Sequence, residues 1–158
     1  MADITVGTNS YVSLDTANDH FASRLYATSW TSADDDTKAK ALITAAILLD
    51  RHIVWIGHKN DPEQAMEWPR ACVDWLSDTQ VPTSVMVAQM ELALILLDTD
   101  TTALPDTAGM KSLEVAGVIK MTMDPSDRVK PIPDSIYSLI RVYGSRSGGL
   151  STIQLTRR

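Results

Sequence analysis

The chain is short of what several function classes need. It holds one cysteine, Cys72, in 158 residues, which leaves no disulfide framework and no cysteine-rich zinc module. Aromatic residues are only 6% and phenylalanine occurs once, at Phe21, a thin supply for a platform that stacks bases. Positive charge is scarce as well. Fourteen Lys and Arg stand against twenty Asp and Glu, a net charge of −6, where a free nucleic-acid binder would neutralise phosphates. The longest apolar run, Leu92 to Leu97, falls far short of the roughly 20 residues that span a bilayer, so no membrane partner is expected. The opening Met-Ala-Asp-Ile-Thr has no basic segment followed by an apolar one, and no secretory signal is expected. Gly148-Gly149 follows no strand and precedes no helix, so no phosphate cradle is expected.

What is there supports a single folded core. Hydrophobic residues are 44%, and the length suits one domain with arms. The charge is uneven. Residues 1–79 carry 6 basic and 12 acidic residues, hence −6, while residues 80–158 carry 8 of each. From Tyr137 onward there are four arginines, Arg141, Arg146, Arg157 and Arg158, and no acid. An acidic body with a basic tail is one reading of this pattern; a solvated terminus is the plainer one.

Periodicity predicts helices. Ser13 is a good N-cap for a helix from Leu14 to about Tyr26, with Leu14, Ala17, Phe21 and Leu25 on one face. A second helix is expected from near Ser32 to about Trp55, with Asp34, Asp35 and Asp36 at its start and Gly57 as its stop. A third opens at Val81-Pro82 and runs to about Leu97. The second and third are apolar on almost every side, which predicts a central helix or contact with a neighbouring subunit. Residues 58–80 read as a long loop pinned by Trp55, Trp68 and Trp75. Beyond Asp98 come a Thr-rich linker containing Pro105 and an alternating segment from Leu113 to Met123, a strand or short hairpin. A short helix from Pro133 follows, and then a β-branched stretch, Leu150 to Thr156. The expected class is mainly α: a small bundle of three to four helices with a short β segment and an extended C-terminal arm. Residues 1–98 form the body, 99–144 a linker with the short β segment and helix, and 145–158 the arm.

No catalytic constellation emerges. Cys72 lacks a local nucleophile signature and reads as a small buried thiol. His52 and His58 are six apart across a helix end and His20 is remote, not metal-ligand spacing. Asp34-Asp35-Asp36 lacks the glycine and distal glutamate of a calcium loop. No enzyme, metal or cofactor is expected.

An ordered set of residues does carry a resemblance. Tyr11-Val12-Ser13-Leu14 with Ala17, Phe21, Arg24 and Trp30 is followed by Lys40-Ala41-Leu42, Ala45, Leu49-Asp50, Trp55 and Gly57. Trp68-Pro69-Arg70 and then Val81-Pro82, Ala88 and Glu91-Leu92-Ala93 complete it. Over roughly residues 9–98 this resembles the small helical head–tail connector (adaptor, head-completion) proteins of tailed bacteriophages, some of which are labelled DnaT-like single-stranded-DNA-binding proteins. The resemblance implies a structural virion protein, made in the host cytoplasm, that forms a ring, usually of about twelve subunits. The ring sits under the capsid portal protein, extends the channel for double-stranded DNA and receives a downstream tail or head-closure protein. A portal-binding arm would use Arg146, Leu150, Ile153, Leu155, Arg157 and Arg158, with Leu150 to Thr156 adding to a partner's sheet. Trp55, Trp68, Pro69 and Arg70 are expected as structural or inter-subunit anchors. The second class is a DnaT-like replication accessory that binds single-stranded DNA, against which the acidic, aromatic-poor composition counts.

Overall fold

A helix begins where a side chain can take up its free backbone N–H groups, and two starts here do so. Ser13 accepts from the Thr16 N–H, opening α1 (Leu14–Ala22). Asp34 accepts from the Thr37 N–H, opening α3 (Asp35–His52). Between them lies the single turn of α2 (Thr28–Ser32). Pro82 precedes α4 (Thr83–Asp98) and Pro133 precedes α5 (Asp134–Ile140). The computed structural model describes residues 2–103, 112–115, 119–122 and 130–147. The protein is mainly α, with short antiparallel strand pairs.

α3 and α4 are the central pair. Leu42, Ala45 and Leu49 from α3 and Val85, Ala88 and Leu92 from α4 are fully buried, and the small alanines let the helix axes approach. α4 also packs against α2 and α5. Its nearly continuous apolar surface is therefore largely covered within one chain, the central-helix alternative. Ile136 and Ile140 of α5 join the same core as Tyr11, Phe21, Trp30 and Trp68.

Three pairs of strands are described. β1 (Ile53–Trp55) pairs antiparallel with β6 (Gly144–Arg146), Ile53 opposite Arg146 and Trp55 opposite Gly144. β2 (His58–Lys59) pairs with β3 (Arg70–Ala71) inside the long loop. β4 (Ser112–Val115) and β5 (Ile119–Thr122) form a hairpin in the segment expected as a strand or hairpin.

Several expectations are corrected. The first helix stops at Ala22 rather than Tyr26, and Leu25 is 78% exposed instead of closing the apolar face. Trp30 packs on Phe21, ring centroids 4.5 Å apart, and covers the end of the stripe that another turn would have covered. The second helix is shorter at both ends than expected, and an unexpected turn of helix, α2, precedes it. Ala33 is extended after α2, α3 starts at Asp35, and α3 ends at His52 because the β-branched pair Ile53-Val54 is drawn into the ladder with β6. Gly57, expected as a helix stop, instead turns β1 toward β2 with φ +70°, and a Cβ there would lie 2.3 Å from the Ala71 carbonyl oxygen. Trp75 does not pin the loop. It is 62% exposed, and Met66 and Val73 fill the buried positions instead. Cys72 is exposed, not buried.

The β1–β6 ladder is close-fitting at Gly144, where an added Cβ would meet Ile53 Cγ2 at 2.6 Å and the Val54 carbonyl oxygen at 2.8 Å. Gly144→Ala is expected to destabilise the fold by about 1–3 kcal/mol, read from the shift in a urea unfolding midpoint.

Candidate functional site

The chemistry-bearing residues gather along a buried polar seam. Gln89, in the middle of α4, is completely buried. Its Oε1 accepts from the Tyr11 N–H at 3.0 Å, and its Nε2 donates to Ser10 Oγ at 2.7 Å and to the Leu42 carbonyl at 2.9 Å. One amide thus ties the N-terminal segment to α3 and α4. The Tyr11 hydroxyl continues the seam by donating to Asp50 Oδ1 near the end of α3. Asp50 Oδ2 accepts from the Glu67 N–H at 3.1 Å. Glu67 then meets Arg70 Nη1 at 2.6 Å and Lys59 at 3.3 Å.

Arg70 is buried, and its donors are spent on this chain. Nε donates to the Ile56 carbonyl at 2.7 Å, Nη2 to the Gly57 carbonyl at 2.8 Å, and Nη1 to both the carbonyl and the carboxylate of Glu67. That fork suits a guanidinium and not an ammonium. Trp68 lies edge-to-face with Trp55 at 5.7 Å and with Tyr143 at 5.8 Å between centroids. Trp55, Trp68 and Arg70 are all buried in the single chain. They join the loop to β1 and to the turn before β6.

Burial sets the electrostatics of the seam. It pushes the Tyr11 hydroxyl up, the charge of Asp50 adding to the effect, so the phenol keeps its proton and stays a donor. Burial also raises the Asp50 carboxyl above its ordinary 3.8, against the hydrogen bonds from Tyr11 and Glu67 that favour its charged form. At the exposed start of α3 the balance reverses: the Lys40 ammonium and the Ala2 N–H hold Asp36 down at about 2. The seam holds the N-terminal segment, α3, α4 and the long loop together. Among the described residues no three His, Cys, Asp or Glu side chains converge for a metal ion. None of the described helices is long and apolar enough to cross a membrane.

The surface is distinctive for its spent cations. Arg24 grips Glu91 with both arms at 2.6 Å, and His20 joins the same carboxylate at 3.1 Å. Lys38, Lys40, Lys59, Arg70, Lys130 and Arg146 are also paired with acids. Among the described Lys and Arg side chains only Arg51 and Arg141 enter no ion pair. Leu25, Tyr26, Ile47, Val54, Trp75, Leu139 and Val142 stand exposed. A groove of about 320 Å³ lies between α4 and α5, lined by Val87, Leu94, Ile95, Ile136 and Leu139 with the Arg24–Glu91 pair.

Of the residues expected in a portal-binding arm, Arg146 lies in β6, ion-paired with Asp134 at 2.6 Å and stacked over the Tyr137 ring. Leu150, Ile153, Leu155, Arg157 and Arg158 lie outside the described residues, as does Pro105 of the linker. Gln89 and Asp50 carry the seam, and sequence reasoning missed both roles. A lone Gln inside an otherwise apolar helix was the available signal for the first.

The described residues form a mainly helical body with a buried polar seam and a largely ion-paired surface. The family described as "Putative DnaT-like ssDNA binding protein" matches residues 2–158, and the chain belongs to that family. No curated protein and no solved structure matches the chain.

Gln89→Leu removes the buried partner of the Tyr11 N–H and is expected to cost about 2–4 kcal/mol, measured by chemical denaturation. Asp50 gives a pH signature. Its folded pKa lies above 3.8, so its contribution to stability is full below that value and is lost as pH rises through the folded value. The stability of the wild type relative to Asp50→Asn should therefore be greatest in acid and fall toward neutral pH. Urea titrations across a pH series test the sign.

Proposed function

We propose that the protein is a structural head–tail connector. It would assemble as a ring on a capsid portal, prolong the DNA channel, offer a platform to the next tail component, and reside in the virion. The observation that carries this reading is the state of the cations. In residues 2–103 every Lys and Arg except Arg51 is engaged with an acid of the same chain, while that region holds 15 acidic residues against 6 basic ones. Such a surface has little left with which to track a phosphate backbone. It suits a wall past which DNA slides without sticking. Exposed Leu25, Tyr26, Ile47 and Trp75 suit protein contacts. The Leu150, Ile153 and Leu155 segment, ending in Arg157 and Arg158, would reach the portal.

The description of the family favours the second reading, a DnaT-like accessory that binds single-stranded DNA. Exposed Tyr26 and Trp75 are the aromatic surfaces it would use for stacking. A fluorescence titration with single-stranded oligonucleotides at physiological salt separates the two. The connector reading expects no binding tighter than about 1 µM, and tighter, saturable binding by the isolated chain would overturn it in favour of the accessory.

Portal pull-down gives the complementary test. Because Ser145 and Arg146 belong to the β1–β6 ladder, the truncation falls after Ser147. The shortened chain should keep its helical circular dichroism and lose portal binding; undiminished binding rules out the arm's role.

A further inference from the structure

The outer stripe of α3 presents Lys40, Thr44, Ile47 and Arg51 at helical steps of four and three, and Val54 continues the line into β1. Ile47 is 49% and Val54 58% exposed. Between them stands Arg51, the one cation of residues 2–103 without an acidic partner among the described residues. An exposed guanidinium flanked by two bare aliphatic side chains is a docking face for an acidic, partly apolar surface.

Such a surface exists on the same molecule. At the start of α3 a groove of about 300 Å³ is lined by Ile4, Leu14 and Ala39, with Asp3, Asp15 and Asp35 as its exposed carboxylates. Asp3 and Asp15 enter no ion pair among the described residues, and Asp35 reaches Lys38 only at 3.4 Å. Sixteen residues separate Asp35 from Arg51, about 24 Å along the helix at 1.5 Å per residue. The two complementary surfaces are held apart by the helix that carries them both, so one chain cannot join its own pair.

We propose that the Ile47–Arg51–Val54 face of one chain docks in the Asp3–Asp15 groove of the next copy. Arg51 would bridge the carboxylates while Ile47 and Val54 cover Ile4 and Leu14. The contact is head-to-tail, so an open assembly keeps a free face at one end and a free groove at the other, and growth continues until the rotation closes. The head-to-tail sense rests on the connector reading, since charge complementarity alone also permits two copies to pair antiparallel.

Sedimentation velocity of the full chain tests it. The wild type should associate beyond the dimer with rising concentration, less so at high salt. Arg51→Glu should weaken association at least about tenfold, as should Asp3→Lys with Asp15→Lys, and combining all three changes should recover it. Thermal unfolding of each variant establishes that it is folded. A wild type that stays monomeric, growth that stops at a dimer, unchanged association of Arg51→Glu, or no recovery in the combined variant each overturns the inference. Portal binding measured in parallel keeps the two claims apart. Variants that no longer self-associate but still bind a portal support the interface and leave the connector reading standing. Association through this pair without any portal binding supports the interface and sinks the connector reading.

Discussion

The buried side-chain amide of Gln89 is the constraint on which the other polar contacts hang. A fully desolvated amide must find partners for both its donor and its acceptor. Here they come from two pieces of chain outside α4: Ser10 and Tyr11 before α1, and Leu42 on α3. That requirement fixes where the N-terminal segment crosses the α3–α4 pair. Tyr11, once placed, directs its hydroxyl to Asp50, and Asp50 in turn holds the Glu67 backbone. The long loop is thereby referred back to the helices. Arg70 closes the arrangement by binding the turn that follows β1.

The same chain treats its surface charges differently from its buried ones. Among the described residues the buried polar side chains Ser10, Arg70, Gln89 and Thr101 are all hydrogen-bonded, because an unpaired one would cost the full loss of its hydration, while the indole N–H groups of Trp55 and Trp68 are left without a partner. Outside, ion pairs such as Lys40–Asp36 and Lys130–Asp134 add little stability, since water screens them. Their consequence is electrostatic. They occupy cations that a nucleic-acid surface would need free, and they leave a body whose remaining charge is mostly negative. Arg51 stands out against that background.

Much of the helical layout was legible locally. Ser13, Asp34 and the prolines before α4 and α5 act within a few residues of where they stand, and caps are short-range chemistry. The all-round apolar character of α4 correctly required cover on several sides. The failures share a cause. The end of α3 at His52 depends on Gly144–Arg146, some ninety residues further on. Leu25 fits the apolar stripe of α1 but is displaced by Trp30. Trp75 and Cys72 were judged by residue type, whereas the loop's hydrogen bonds turn Val73 inward and leave both of them outside. Trp55 and Trp68 were legible as residues that pin the loop to the body; for Arg70 the sequence left a structural and an inter-subunit role open, and the fold spends its donors within the chain.

The amino-acid sequence by itself determined the helical class, the starts of α1, α4 and α5 to within a residue or two, and the division into an acidic first half and a basic last segment. Those depend on capping, periodicity and charge, which are local or additive. Only the tertiary structure decided that Gln89 and Asp50 are the polar hubs, which cations are spent, and that α3 carries Arg51 at one end and an acidic groove at the other. Each of those depends on which residues distant in sequence come to lie side by side, and so on the packing of the whole chain.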